Sequence, residues 1–381
     1  MLRGLTSDFK AAGHEVTVLL DSRIAEFHPP LEANHVVQIA SSGEADPTMK
    51  RAAETADGAY VIAPEPNHVL QSIVEYIETT GALSLNCQAT GIEQAADKAL
   101  LGARVKSLGL DFPKTEMFCV KDSVEEITQG ISGKLGFPAV IKPVSGAGCS
   151  GLSVIQNEKQ VAAALAKIRK ETATGDIAAQ ELINGVPASV SLISTGAEAL
   201  PVSLNLQEVT LAGLDGVSGY LGGAVPLEHP LRDEAFAAAK GVVESFGDLR
   251  GYVGVDLVLT ANKAFIVEVN PRLTTSYVGL RKVANFNPAQ AIAEAVLKND
   301  LPKNPRTNGC VCFSKVPVSH PTLSAWQAIC GMSEVVSPPF PINDADLSYT
   351  LVQASGGTFE KASLGLREAK KHLQHICQGG K

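Results

Sequence analysis

The chain has 381 residues, 45% of them hydrophobic and 19% charged, with a formal net charge of −8. That length supports two or three domains with ordinary cores, and the composition excludes intrinsic disorder. An acidic balance without a dense Lys/Arg run excludes nucleic acid as a partner, and apolar runs of strand length exclude a membrane span. Residues 1–20 alternate polar and apolar positions without the continuous apolar core of a secretory signal. The seven cysteines are scattered. Cys310 and Cys312 sit one residue apart, as on a strand, and no Cys-x-x-Cys suggests zinc. Reduced thiols in a cytoplasmic protein are the expectation.

The pattern predicts a helix over 5–12 stopped by Gly13, a strand over 16–20, and a helix over 48–56. A short strand at 59–62, a helix at 69–80 and a strand at 83–86 follow. This alternation predicts a small open α/β domain with a parallel sheet. The chain opens on a helix, so the first strand of that sheet is expected to be missing. Beyond Asp97 come a helix, Pro113, and an apolar strand at 137–142 that runs into Pro143 and a Gly/Ser-rich loop. An amphipathic helix is predicted at 158–170, and strands near 177–183, 188–194 and 200–209. The glycine-rich stretch 210–227 reads as a mobile loop. Helices at 232–246 and 288–298 flank a hairpin at 252–270. From about 305 the chain reads as a small α/β annex, with strands near 310–316 and 347–353 and a last helix at 366–377; its apolar face permits a homodimer.

The hairpin carries the clearest chemistry. Strand side chains alternate between faces, so Val253, Val255, Leu257 and Leu259 share one face and Asp256 lies on the other. In the second strand Phe265, Val267 and Val269 are expected on one face, Glu268 and Asn270 on the opposite one. A three-residue loop at 261–263 pairs Thr260 with Ala264 and so sets Asp256 opposite Glu268. Two facing carboxylates repel, and an Asp/Glu/Asn oxygen cluster suits Mg²⁺, with phosphate oxygens and water completing the shell. The bland alternative is a solvent-facing pair of acids. Pro271 ends the ladder, and Arg272 beyond it presents a planar fork suited to phosphate or carboxylate.

Upstream, Lys142 ends an apolar strand before Ser145, Gly146, Ala147, Gly148, Cys149, Ser150 and Gly151. Such a loop can close over phosphates with backbone N–H groups, or be a plain hairpin connection. It is neither a Walker A motif, lacking Gly-Lys-Ser/Thr, nor a dinucleotide fingerprint, since a strand follows it. Glu181 and Leu182 end a strand whose main chain could meet an adenine edge, or could be an ordinary strand end.

In order, Asp97-Lys98, FPAVIKPVSGAGCSG, AAQELING and the VDLVL–VEVNPR hairpin resemble the ATP-grasp superfamily over roughly 91–300. The stretches GHEVTVLLDSR, GYLGGAVP and EVNPRLTTSYVGLR resemble in particular a carboxylate–amine ligase subgroup that includes tyramine–glutamate ligase. Gly185-Val186-Pro187-Ala188 lacks the acid that many relatives carry after this glycine. The resemblance implies a fold of α/β and α+β parts: a pre-ATP-grasp domain at 1–92 lacking its first strand, a two-lobed ATP-grasp domain at 93–302 with ATP between the lobes, and the annex at 303–381. It implies that Lys98 and Lys142 hold phosphates under a lid at 145–151, that Glu181 and Leu182 meet adenine, and that Asp256, Glu268 and Asn270 bind one or two Mg²⁺ (or Mn²⁺) ions. Arg272 would steady an acyl phosphate or tetrahedral intermediate. The implied reaction joins a small-molecule carboxylate, such as glutamate, to an amine, such as tyramine. A carboxylase, a phosphotransferase and a non-catalytic ATP-binding module are the competing expectations.

Overall fold

The computed structural model describes residues 1–25, 31–144, 151–171, 175–319, 321–340 and 348–379. The N-terminal region carries β1 (Thr17–Asp21), β2 (His35–Ile39), β3 (Gly58–Ala59) and β4 (Leu83–Ser84). The small lobe carries β5 (Thr115–Cys119), β6 (Ala139–Pro143), β7 (Ser153–Ile155) and β8 (Asp176–Glu181). Then come β9 (Val186–Thr195), β10 (Ala199–Thr210), β11 (Gly219–Val225), β12 (Arg250–Leu259) and β13 (Ala264–Asn270). The chain ends with β14 (Cys310–Val318), β15 (Val335–Ser337), β16 (Ser348–Gly356) and a helix at Phe359–Gly379.

Among the described residues parallel pairing is confined to the N-terminal region, where β1 pairs with β2 and β3 with β4 as two separate ribbons. The first element described is the helix Leu2–Ala11, and Gly13 behind it takes φ +90°, a left-handed stop that favours glycine. The strands expected at 59–62 and 83–86 shrink to two residues each.

The small lobe is a four-stranded antiparallel sheet in the order β5-β8-β6-β7, covered by the helices Val124–Lys134 and Val161–Glu171. The large sheet has eight antiparallel strands in the order β13-β12-β9-β10-β11-β14-β16-β15. Val253, Val255, Leu257 and Leu259 of β12 enter one core with the helix Arg232–Glu244. Tyr252, on the opposite face, joins another core with Tyr277, Ile292 and Phe313. Alternation along one strand thus feeds both layers of helices.

One expectation is corrected here. Residues 210–227 are not one loop: β11 lies between β10 and β14 in the middle of the large sheet. Its glycines serve close packing, since a Cβ on Gly223 would collide with the Leu206 carbonyl oxygen of the neighbouring strand. The expected annex beyond 303 contributes β14, β16 and β15 to the same sheet.

Candidate active site

The two sheets face each other across a cavity of about 320 Å³. In β6, Ala139 and Ile141 fill the small-lobe core, so Val140 and Lys142 turn the other way and line the cavity. Val140 packs with Leu152 and Leu182 into an apolar floor. The Glu181 N–H already donates to the Lys114 carbonyl, 2.9 Å away. A flat ligand at this strand end therefore finds that donor engaged.

Across the cavity, Asp256 projects from β12 between the core residues Val255 and Leu257. It pairs with Glu268 as the sequence pattern predicts, but by a different route. Leu259 pairs with Ala264, leaving a four-residue loop at 260–263 where three residues were expected. A register shift between Leu257 and Asp256 then makes Val267 an extra residue in β13. The bulge offsets the longer loop and restores Asp256 to Glu268. It also rearranges the faces. Ala264, Ile266 and Val269 enter the core, whereas Val267, expected beside Val269, lines the cavity.

Lys98 is fixed by the preceding residue. The Asp97 carboxylate accepts hydrogen bonds from the Ala99 and Leu100 N–H groups, both 2.9 Å, and caps the helix Lys98–Ser107. Lys98 is thereby the first helical residue. Its side chain is only 6% exposed and donates to Glu268 Oε1 at 2.6 Å. Burial pushes the Glu268 carboxyl up, but the charges of Lys98 and Lys142 outweigh this and hold it down to about 2. Asp256 behaves oppositely. Burial, reinforced by the charge of Glu268, pushes it up to about 7, although Asn270 Nδ2 (3.1 Å) and Gln207 Nε2 (2.9 Å) donate to its two oxygens. The hairpin therefore sets one carboxylate short of positive charge, Asp256, opposite one that Lys98 compensates, Glu268. Among the described residues no three His, Cys, Asp or Glu side chains converge as a metal site. A carboxylate pair fits an ion that takes one or two carboxylates and completes its shell with phosphate and water, as Mg²⁺ does.

Arg272 follows the hairpin. Its Nη2 donates to Glu65 Oε2 at 2.8 Å and its Nη1 to the Leu273 carbonyl at 3.1 Å, while Nε is buried without a hydrogen-bond partner among the described residues. The turn behind it rests on a polar chain: Ser203 donates to Asn205, Asn205 to Ser191, Ser191 bonds Tyr252, and Tyr252 bonds Thr274.

Lys98, Lys142, Glu181, Leu182, Asp256, Glu268, Asn270 and Arg272 all line the one cavity. Gly151 takes φ +70° but is not among the lining residues, and Ser145, Gly146 and Gly148 lie outside the described residues. Sequence reasoning missed Gln207 and Glu65, which line the cavity too. Gln207 was legible only as one polar position in a strand. Glu65 is a single loop acid joined to Arg272 across 207 positions of sequence, which no local pattern reveals.

Comparison with known proteins agrees with this architecture. The ATP-grasp domain family matches residues 95–276, and the pre ATP-grasp 3 domain matches residues 14–92. The chain belongs to the ATP-grasp superfamily, with a pre-ATP-grasp domain in front. It is 29% identical to tyramine–L-glutamate ligase of Methanocaldococcus jannaschii over 269 residues, 69% of this chain and 70% of that protein. Among solved structures, biotin carboxylase from Campylobacter jejuni aligns with a TM-score of 0.75 at 15% identity, covering 98% of this chain and 92% of the other. L-amino acid ligase from Bacillus licheniformis aligns with a TM-score of 0.70 at 16% identity, covering 96% and 93%. At these identities the two structures speak for the fold alone.

Proposed function

We propose that this ATP-grasp ligase joins a carboxylate to an amine through an acyl phosphate, with glutamate as the first acid to test and tyramine as the first amine. The observation that carries the reading is the convergence of an acid pair, Asp256 and Glu268, with Lys98, Lys142 and Arg272 on one cavity. Relatives named tyramine–L-glutamate ligase support the choice of substrates.

Lys98 and Lys142 hold the phosphates, and the apolar floor of Val140, Leu152 and Leu182 takes the adenine. Asp256, Glu268 and Asn270 would hold Mg²⁺, which when bound would supply charge neutralisation for phosphoryl transfer. The substrate carboxylate attacks the γ-phosphate and releases ADP. Arg272 steadies the acyl phosphate with a fork matched to phosphate oxygens. The amine then displaces phosphate. No covalent enzyme nucleophile is required, since positioning and charge stabilisation carry phosphoryl transfer.

The test is ADP release with Mg²⁺-ATP, a panel of amino acids including L-glutamate, and a panel of amines including tyramine. Amine-dependent ADP with an amide product is the expected result. ADP formed on bicarbonate without any amine would move the reading to a carboxylase.

A further inference from the structure

Any carboxylate–amine ligase must solve a problem that its ATP machinery does not. An aliphatic amine arrives as an ammonium ion, and an ammonium has no lone pair with which to attack. The site needs a carboxylate that attracts the cation and accepts its proton. Four carboxylates line the cavity among the described residues: Glu65, Glu181, Asp256 and Glu268. Asp256 and Glu268 form the oxygen pair on the hairpin. Glu181 sits at the end of β8 in the small lobe, where its Oε2 accepts from the Lys114 N–H at 3.4 Å. Glu65 is left, and it stands 2.8 Å from the arginine assigned to the acyl phosphate.

We propose that Glu65, supplied by the pre-ATP-grasp domain, is the catalytic residue that receives the amine substrate, binding its ammonium group and taking its proton. The inference rests on the ligase reading above and adds a residue to it. Three observations support it. Glu65 uses only Oε2 on Arg272, so among the described residues Oε1 has no partner. Its side chain is 21% exposed, open to the cavity yet shielded enough for a charge pair to count. Burial raises its carboxyl above the ordinary range, against the pull of Arg272 and of Lys98 beyond it and with the push of Glu268, which makes it a better proton acceptor.

The backbone supports the placement. Buried Asn86 clamps the segment before Glu65 by accepting from the Val61 N–H (2.7 Å) and donating to the Val61 carbonyl (2.9 Å). Just after it, Asn67 and His68 both adopt left-handed φ, 58° and 57°. Two successive non-glycine residues in that region are held there at a cost, as occurs where a side chain must be aimed.

The step balances. The ammonium gives one proton to Glu65, and the freed lone pair attacks the acyl carbon. The C–N bond forms and the C–O bond to phosphate breaks, its electron pair leaving with the phosphate. The second proton of the amine nitrogen goes to the departing phosphate, giving a neutral amide.

The experiment compares wild type with Glu65→Gln, which can still accept from Arg272 but carries no charge. Two assays run side by side with Mg²⁺-ATP and L-glutamate: amide formation with tyramine, and hydroxamate formation with hydroxylamine, a nucleophile largely uncharged at neutral pH. The expected result is a loss of about 10²-fold or more in kcat/KM for tyramine, with hydroxamate formation kept within a few-fold. Glu65→Asp, which keeps the charge one carbon shorter, should fall between. Amide formation that survives Glu65→Gln overturns the proposal. Loss of both activities together also overturns it, because Glu65 would then act only by holding Arg272. A wild-type enzyme that makes no hydroxamate with any amino acid in the panel defeats the ligase reading, and the proposal falls with it.

Discussion

Asp256 shows how a buried carboxylate behaves beside a second one. Its carboxyl stands raised to about 7 because burial and Glu268 both disfavour its charge. The folded state thus holds this proton more tightly than the unfolded state, so stability falls as pH rises from the ordinary carboxylate range through about 7. Above that window an ionised Asp256 weakens the metal-free fold. Asp256→Asn removes the like charge, and Gln207 or Asn270 can turn its amide to present an oxygen to the new N–H₂ group. The substitution is expected to raise the melting temperature of the metal-free protein at pH 8 by about 2 °C, while abolishing the further rise that Mg²⁺-ATP gives wild type. Scanning calorimetry of both proteins, with and without Mg²⁺-ATP, checks this; a lower metal-free melting temperature would remove the repulsion argument. Stability and function trade against each other at such a position. Glu268 differs because Lys98 stands against it at 2.6 Å.

The β12–β13 hairpin is the element that turns these residues into a site. Gly254 pairs with Asn270 on β13 and shares the Asp256 face. A Cβ there would press on Thr274 Cγ2, within the turn that Tyr252 supports and Arg272 precedes. Gly254→Ala is therefore expected to keep the fold, displace that turn and lower kcat by about 10²-fold, the scale of a misplacement near 1 Å. ADP-release kinetics beside a far-ultraviolet spectrum decide it, and an unchanged kcat would show that the turn tolerates the push. The same hairpin shows what was legible in the sequence. Period-two alternation gave the core face of β12 and the outward Asp256, because burial on one face dictates that pattern. Loop length and the bulge at Val267 depend on how β13 meets the rest of the sheet, so the predicted pairing of Asp256 with Glu268 came out right while the intermediate registers did not. β11 was hidden for a related reason. Its run of glycines signals a loop, yet here it answers the close approach of β10 and β14.

At the scale of the molecule, the cavity is shared by three parts of the chain, and Glu65 meets Arg272 only because the N-terminal region packs against the end of the hairpin. Long-range joining of this kind leaves no trace in local periodicity, which explains why Lys142 and Asp256 could be found by pattern and Glu65 could not. The connector at 211–218 makes a further link between the sheets. The Val154 N–H donates to the Ala212 carbonyl at 2.9 Å, Ser218 Oγ to the Leu152 carbonyl at 3.0 Å, and Lys167 Nζ to the Gly216 carbonyl at 3.0 Å. These bonds tie β7 of the small lobe to the segment that leads into β11. A ligand that draws the lobes together would shield them, whereas β11 is already held on both sides within its sheet. Hydrogen exchange with Mg²⁺-ATP should therefore slow the amides of Val154 and Ala212 while those of 222–225 remain protected in both states. Equal exchange at Val154 and Ala212 with and without nucleotide would mean that the connector fixes the two lobes independently of ligand. Closure would then have to come from elsewhere in the chain.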